Sequence, residues 1–171
     1  MKAASGLTHI IKIVCVILTS LCFVPAFTVS CANRDIVEVT PWQSIFGYYS
    51  VNEATQRKDL LHEAEPWCIF MVVMPLVLVI IWFFFKNAKR AYILHLVTIG
   101  GVFGDCALWA VFKKEVCVAA ASSGALVNPQ IGYYGTIYGL GCLLALTVIH
   151  LMLLYMPPRI GKEQIGNENN S

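Results

Sequence analysis

Four stretches of this chain are apolar without interruption for long enough to matter, and each is set off by a cluster of charged or turn-forming residues. The first runs from Ile13 to Val29, the second from Trp67 to Phe85, the third from Tyr92 to Phe112 and the fourth from Ile131 to Met156. A hydrocarbon core of about 30 Å is crossed by roughly 20 residues of helix, and in lipid only helices and closed barrels satisfy their own backbone groups. Barrel strands would alternate in polarity over about ten residues, whereas Met71 to Phe85 is a single apolar run broken only by Pro75. The pattern therefore predicts an all-α membrane protein, a bundle of four transmembrane helices forming one integral membrane domain over residues 1–171, with the second helix bent at its proline.

Between the spans the pattern changes. Thr28-Val29-Ser30-Cys31 and Ile36-Val37-Glu38-Val39-Thr40 are β-favouring and flank the turn-forming Ala32-Asn33-Arg34-Asp35, which predicts a small β-hairpin in the first long loop, 30–66. Pro41 closes it, and Trp42 to Phe46 reads as a short helical turn stopped by Gly47. Asn52 is a suitable N-cap for a surface helix from Glu53 to Glu65, ended by Pro66. The loop 113–130 is rich in small residues and reads as irregular. A five-residue basic link, Lys86-Asn87-Ala88-Lys89-Arg90, joins the second and third spans.

Composition supports the membrane reading. The 171 residues are 58% hydrophobic and 13% charged, about half the charge a water-soluble surface carries, with a mean hydropathy of +0.70. Lipid supplies the missing cover. A net charge of +2 and the absence of any long basic run give no indication of a nucleic-acid partner, and none is expected. Lys2, Lys86, Lys89, Arg90, Arg159 and Lys162 fall on one side of the membrane and Arg34, Arg57, Lys58, Lys113 and Lys114 on the other; the density of bases in loop 86–91 places that loop, both termini and the tail 157–171 in the cytoplasm, with 30–66 and 113–130 outside. Trp82 and Tyr155 then fit an inner aromatic belt, and Trp67, Trp109, Tyr133 and Tyr134 an outer one, while Lys12 can snorkel to the inner surface. An alternative is a lipobox-like signal ending Thr28-Val29-Ser30-Cys31, whose cleavage would leave a lipidated Cys31 and three spans; the uncleaved span is preferred because leucine is usual where Thr28 stands.

Candidate chemistry is sparse. Asp105 is an acid inside the third span, costly there unless it faces the bundle interior. Counting equal depth down the fourth span makes Tyr138 its expected hydrogen-bond partner, with Thr136 the other candidate. Gly100 with Gly104, and Gly135 with Gly139, form two GxxxG pairs at overlapping depth, which predicts close packing of spans three and four there. Asp105 reads either as a packing acid or as a proton or cation site. His95 and His150, both in the inner half, could hold a haem b as axial ligands. Outside, Cys31 and Cys117 are the first choice for a disulfide, with Cys68 the alternative; Cys15, Cys22, Cys106 and Cys142 read as small packing residues. No Ser/His/Asp set, HExxH, phosphate-cradling glycine loop or paired intramembrane carboxylates indicate an enzyme or a bound metal.

The run Phe23-Val24-Pro25-Ala26-Phe27-Thr28-Val29-Ser30-Cys31, followed by Val37-Glu38-Val39 and Gly47, resembles small uncharacterised four-span bacterial membrane proteins whose first span ends in Phe-x-Pro-aromatic and then Val-Ser-Cys. Gly132-Tyr133-Tyr134-Gly135 is similar too, while Thr40-Pro41 stands where those proteins carry Ser-Gly. The resemblance implies the four-span topology and a bacterial plasma membrane, and no reaction. Claudin-type proteins share the layout, but their Trp-Gly-Leu-Trp and paired loop cysteines are absent; quinone-linked disulfide-forming enzymes need a C-x-x-C that this chain lacks. The expectation is a noncatalytic multi-pass protein in the lipid bilayer, a subunit or interaction module with a membrane-protein partner or a second copy of itself. A small carrier or channel centred on Asp105 is the alternative, and a haem-binding redox subunit the third.

Overall fold

The computed structural model describes residues 2–31, 34–52, 57–84, 91–122 and 124–155, and shows a mostly helical chain with a small sheet at one end. The long helices are α1 (Lys2–Leu21), α3 (Ile69–Phe84, entered through a 3-10 turn at Pro66–Cys68), α4 (Ala91–Ser122) and α5 (Ile131–Tyr155); a short helix α2 spans Pro41–Ser44. Among the described residues three helices are long and apolar enough to cross a membrane: Pro66–Phe84, Ala91–Ala121 and Ile131–Tyr155. The apolar part of α1, Ser5–Leu21, is shorter.

The helices close a ring in which α1 touches α3 and α5, and α4 touches the same two from the opposite side. Each inward face is a stripe at spacings of three and four. On α1 it is Ile11, Cys15 and Leu18, continued by Cys22 in the turn that follows, on α3 Met71, Pro75, Leu78 and Trp82, and on α5 Gly132, Thr136, Leu140, Leu143, Thr147 and His150. On α4 it is His95, Thr98, Val102, Asp105, Trp109, Phe112, Val116 and Ala120. That spacing is the seam of near-parallel helix packing. The outward faces are apolar as well, with Ile10, Ile13, Val16 and Ile17 exposed on α1 and Phe70, Val73, Val77 and Ile80 on α3. A bundle apolar on both sides of its helices has lipid as its solvent.

Strands β1 (Phe27–Cys31), β2 (Arg34–Val39) and β5 (Leu126–Pro129) form an antiparallel sheet in the order β2-β1-β5; β3 (Tyr48–Asn52) pairs with β4 (Arg57–His62) in a second ladder. Phe27 stands opposite Val39 and Pro129, and Val29 opposite Val37 and Val127, so the two-residue period puts these apolar side chains toward the bundle and Thr28, Glu38 and Asn128 away from it. The ring of Phe27 packs on Phe112 and Tyr133 at 5.7 and 5.1 Å, and Trp109 on the same two at 5.9 Å each. This aromatic plug ties the sheet to α4 and α5.

Several expected boundaries shift. The first helix ends at Leu21 rather than Val29, because Pro25 cannot donate to a continuing helix and the β-branched residues after it enter the sheet. The expected helix from Glu53 to Glu65 is not formed: Arg57–His62 is strand β4. The loop at 113–130 is largely ordered, since α4 continues to Ser122, turns at Gly124 with a positive φ of 68° and enters β5. Strands β1 and β2 are joined by a third from that second loop, and residues 32 and 33 of the turn lie outside the described residues, as do the link 85–90 and the tail 156–171. In the first loop, α2 is capped by the Thr40 hydroxyl, which accepts from Gln43 N at 3.1 Å, and Gly47 leaves it at φ 83°.

Candidate functional site

Two polar centres lie inside the bundle, on the same stripe of α4. Near the end away from the sheets, His95 of α4 and His150 of α5 are both buried, with His95 Nε2 and His150 Nδ1 2.8 Å apart. Their planes are 19° from parallel and their centroids 5.0 Å apart, so most of that separation lies along the N–N line and the rings meet edge to edge. His95 Nδ1 bonds the carbonyl of Ala91, and His150 Nε2 lies 3.1 Å from the Thr8 hydroxyl of α1. Trp82 of α3 stands edge-on to both imidazoles at 5.7 Å and donates its indole N–H to Thr98 at 2.9 Å, which in turn donates to Leu94 O at 2.8 Å. One cluster thus joins all four long helices.

This arrangement does not fit haem ligation. A metal between two ring nitrogens stands about 2 Å from each, and facing nitrogens 2.8 Å apart leave no place for it. Among the described residues no group of three or more His, Cys, Asp or Glu could hold a metal ion.

Nearer the sheets, Asp105 is 2% exposed, and its Oδ1 has no hydrogen-bond partner among the described residues; the same is true of the indole N–H of Trp109, one turn further along α4. Cys22, just beyond the end of α1, lies within electrostatic range of Asp105 and donates its thiol to Met71 O at 3.3 Å. The expected partners are elsewhere. Tyr138 is 73% exposed and stacks on Tyr134 at the bundle surface, and Thr136 is buried but donates to Gly132 O at 2.8 Å.

The glycine pairs do not face one another. Methyl groups on Gly135 and Gly139 would meet Leu21 and Leu18 of α1, one on Gly104 would meet Met74 of α3, and Gly100 faces open space. Each small-residue face thus receives a leucine or methionine from a different neighbour. Cys117 and Cys68 are free thiols, so the pairing expected for Cys31 and Cys117 is not made: Cys117 stands exposed on α4 where a loop was expected, while the Cys31 side chain lies outside the described residues. Trp82 and Trp109, assigned to interfacial belts, are interior instead, where their ring area fills the seam. Lys12 rests its Nζ 4.8 Å over the Phe83 ring.

Sequence reasoning missed Thr8, Trp82, Thr98 and Trp109 as members of these centres. Their spacing held the signal, since Thr8 precedes Ile11, Cys15 and Leu18 at the interval that runs on to Cys22, and Thr98 and Trp109 share the interval of His95 and Asp105. The fold and interior together define a helical membrane protein with buried polar centres and an ordered cap. Comparison with protein-family models, curated proteins and solved structures finds no match for the chain.

Proposed function

We propose that the chain is a noncatalytic, four-span protein of the plasma membrane, both termini cytoplasmic, that serves as a subunit or interaction module and meets its partner, another membrane protein or a second copy, through the cap. Support for a fourth span comes from α1, whose outward Ile10, Ile13, Val16 and Ile17 need lipid as much as the other helices do. The observation that carries the interaction reading is an exposed aromatic cluster on the cap. Phe23, Trp42 and Phe46 are 50, 40 and 62% exposed, and the Trp42 ring centroid lies 5.2 Å from that of Phe23 and 5.6 Å from that of Phe46. They are held in place from beneath: Trp42 N donates to Cys22 O at 3.3 Å, the Ser44 hydroxyl donates to Thr40 O at 3.0 Å, and Glu65 N donates to Ser44 O at 2.8 Å. A rigid, solvent-side aromatic patch with its backbone already fixed is the composition of an interface core.

A photo-reactive amino acid placed at Trp42 or Phe46 in intact cells should give a discrete protein adduct, either heteromeric or a dimer of the chain, while the same group at outward Phe83 gives lipid adducts. Lipid adducts alone at all three positions would remove the interaction reading.

The buried Asp105 Oδ1, with no hydrogen-bond partner among the described residues, favours a second reading, a carrier with a proton or cation site at that level, because an intramembrane acid is retained at a cost. Asp105→Asn with unchanged stability and lost ion flux in vesicles supports it; unchanged flux, or no flux in the parent protein, refutes it.

A further inference from the structure

We propose that His95 and His150 form a binding site for a single proton, entered through the Thr8 hydroxyl at the end of the bundle away from the sheets. The inference stands apart from the interaction reading and rests on hydrogen-bond direction. A carbonyl oxygen only accepts, so the bond to Ala91 O requires a proton on His95 Nδ1. In the neutral ring Nε2 is then bare and accepts from His150 Nδ1–H. His150 Nε2 is bare in turn and accepts the Thr8 hydroxyl proton. Every bond in the chain Thr8–His150–His95–Ala91 therefore points one way, and both imidazoles carry their proton on Nδ1.

One further proton fits this chain. It adds to His150 Nε2, and the Thr8 hydroxyl, which can accept as well as donate, rotates to receive the new N–H. The Nδ1 proton of His150 can then pass along the 2.8 Å contact to His95 Nε2, leaving His150 neutral with its proton on Nε2 and His95 as the cation. No atom is lost, no electron moves, and the far bond to Ala91 O is kept. A second proton does not fit, because His150 Nδ1 and His95 Nε2 would both carry hydrogens across that contact and two cations would adjoin.

Described polar and charged groups face the pair from each neighbouring helix. From α1 come His9, exposed beside Thr8, and Lys12, held over Phe83. At this level α3 presents the edge of Trp82 and α4 presents Thr98; the nearest acid on α4, Asp105, is ten residues along, about 15 Å at the helical rise. Described α5 carries no acid or base besides His150, and the basic run 86–90 lies outside the described residues. Because His150 reaches α1 through Thr8 and α4 through His95, the bound proton also changes which atoms hold α1 to α5.

Ring nitrogen-15 spectra of histidine-labelled full-length protein in lipid nanodiscs test the inference across a pH titration. The expected result is that His95 and His150 both show protonated Nδ1 and bare Nε2 in the neutral state, and that together they gain one proton. An Nε2–H tautomer in either neutral ring, or two full independent protonations, would overturn it. Thr8→Val, close in shape, should keep both tautomers and slow exchange of the pair with water about tenfold, as expected for losing one hydrogen-bonded step; an unchanged exchange rate removes Thr8 as the entry.

Discussion

Replacing Gly132 by alanine should destabilise the protein although alanine is the better helix former. Gly132 lies in the first turn of α5, where its amide donates to Pro25 O at 3.0 Å, and a β-carbon there would stand 2.6 Å from Pro25 O and 2.7 Å from Val24 O. Those obstacles are backbone atoms of the turn that leads from α1 into β1, so no side chain can swing away. Relieving the overlap moves either the start of α5 or that turn, at a cost of about 1–3 kcal/mol for overpacking. The Gly132-to-Pro25 bond is lost with it, worth about 1 kcal/mol, and the Gln130 N to Ala26 O bond at 2.8 Å is strained in the same movement. Against this stands a gain of at most about 1 kcal/mol from alanine in helix. The net is a loss of about 1–3 kcal/mol, or a fall of roughly 2–12 °C in Tm for a chain of this size. Gly141, also in α5, faces open space, and Gly141→Ala is the internal control, with a Tm equal to or above the parent. Thermal unfolding of both variants in one detergent, followed by circular dichroism, decides the matter. Equal Tm values for the two would refute the close approach of α5 to the Val24–Pro25 turn.

Trp82→Phe keeps an aromatic ring but removes the buried fused pyrrole and its N–H to Thr98, so stability should fall by at least about 1 kcal/mol in the same unfolding assay, the net value of one hydrogen bond, with the volume lost adding to it. Thr40→Ala removes the side-chain cap of α2 and should cost about 1 kcal/mol, read as earlier proteolysis of the first loop. In a Cys31→Ser background, a membrane-impermeant maleimide should label Cys117 from outside intact cells, since it lies 26 residues into α4 and so about 39 Å along a helix crossing a core of about 30 Å. Cys142 is just as exposed on the bundle but faces acyl chains, and should react only after denaturation; labelling it from water would contradict the lipid-facing assignment of α5.

What could be read in the sequence followed from how strongly each signal is written. Runs of twenty apolar residues are unambiguous, and those read at Trp67 to Phe85, Tyr92 to Phe112 and Ile131 to Met156 fall on the three helices long and apolar enough to cross a membrane. Ends were harder. Val116 to Ser122 is small and uncharged enough to read as loop, yet Val116 and Ala120 continue the α4 stripe and are covered by the cap, so tertiary burial decides their state. Likewise Arg57 to His62, mixed in charge, has no strand period of its own and is a strand only because β3 lies beside it. For the interior, depth counting placed Tyr138 level with Asp105 but carries no information about angle around the helix. Thr136 and Leu140 hold the inward positions of α5, which turns Tyr138 outward.

The angular information was present all along in the three-four spacing of α4, and it bears on what the polar residues are for. His95, Thr98, Asp105 and Trp109 occupy a seam that otherwise holds Val102, Phe112, Val116 and Ala120, positions at which apolar residues would pack the bundle more cheaply. His95 and Thr98 are fully engaged there, by Ala91 O and Leu94 O within α4 and by His150 and Trp82 from α5 and α3, so their cost is offset in part by bonds linking separate helices. Asp105 and Trp109 have no such offset for Oδ1 and the indole N–H. The two centres are separated by Val102 on α4 and by Leu140 and Leu143 on α5, and no polar side chain among those three could carry a proton between them. Among the described residues α4 and α5 thus set an apolar layer between the two centres. Any transport centred on Asp105 has to open the apolar layer, and substituting Val102 by a bulkier leucine should then suppress flux while leaving the tautomers of the histidine pair unchanged.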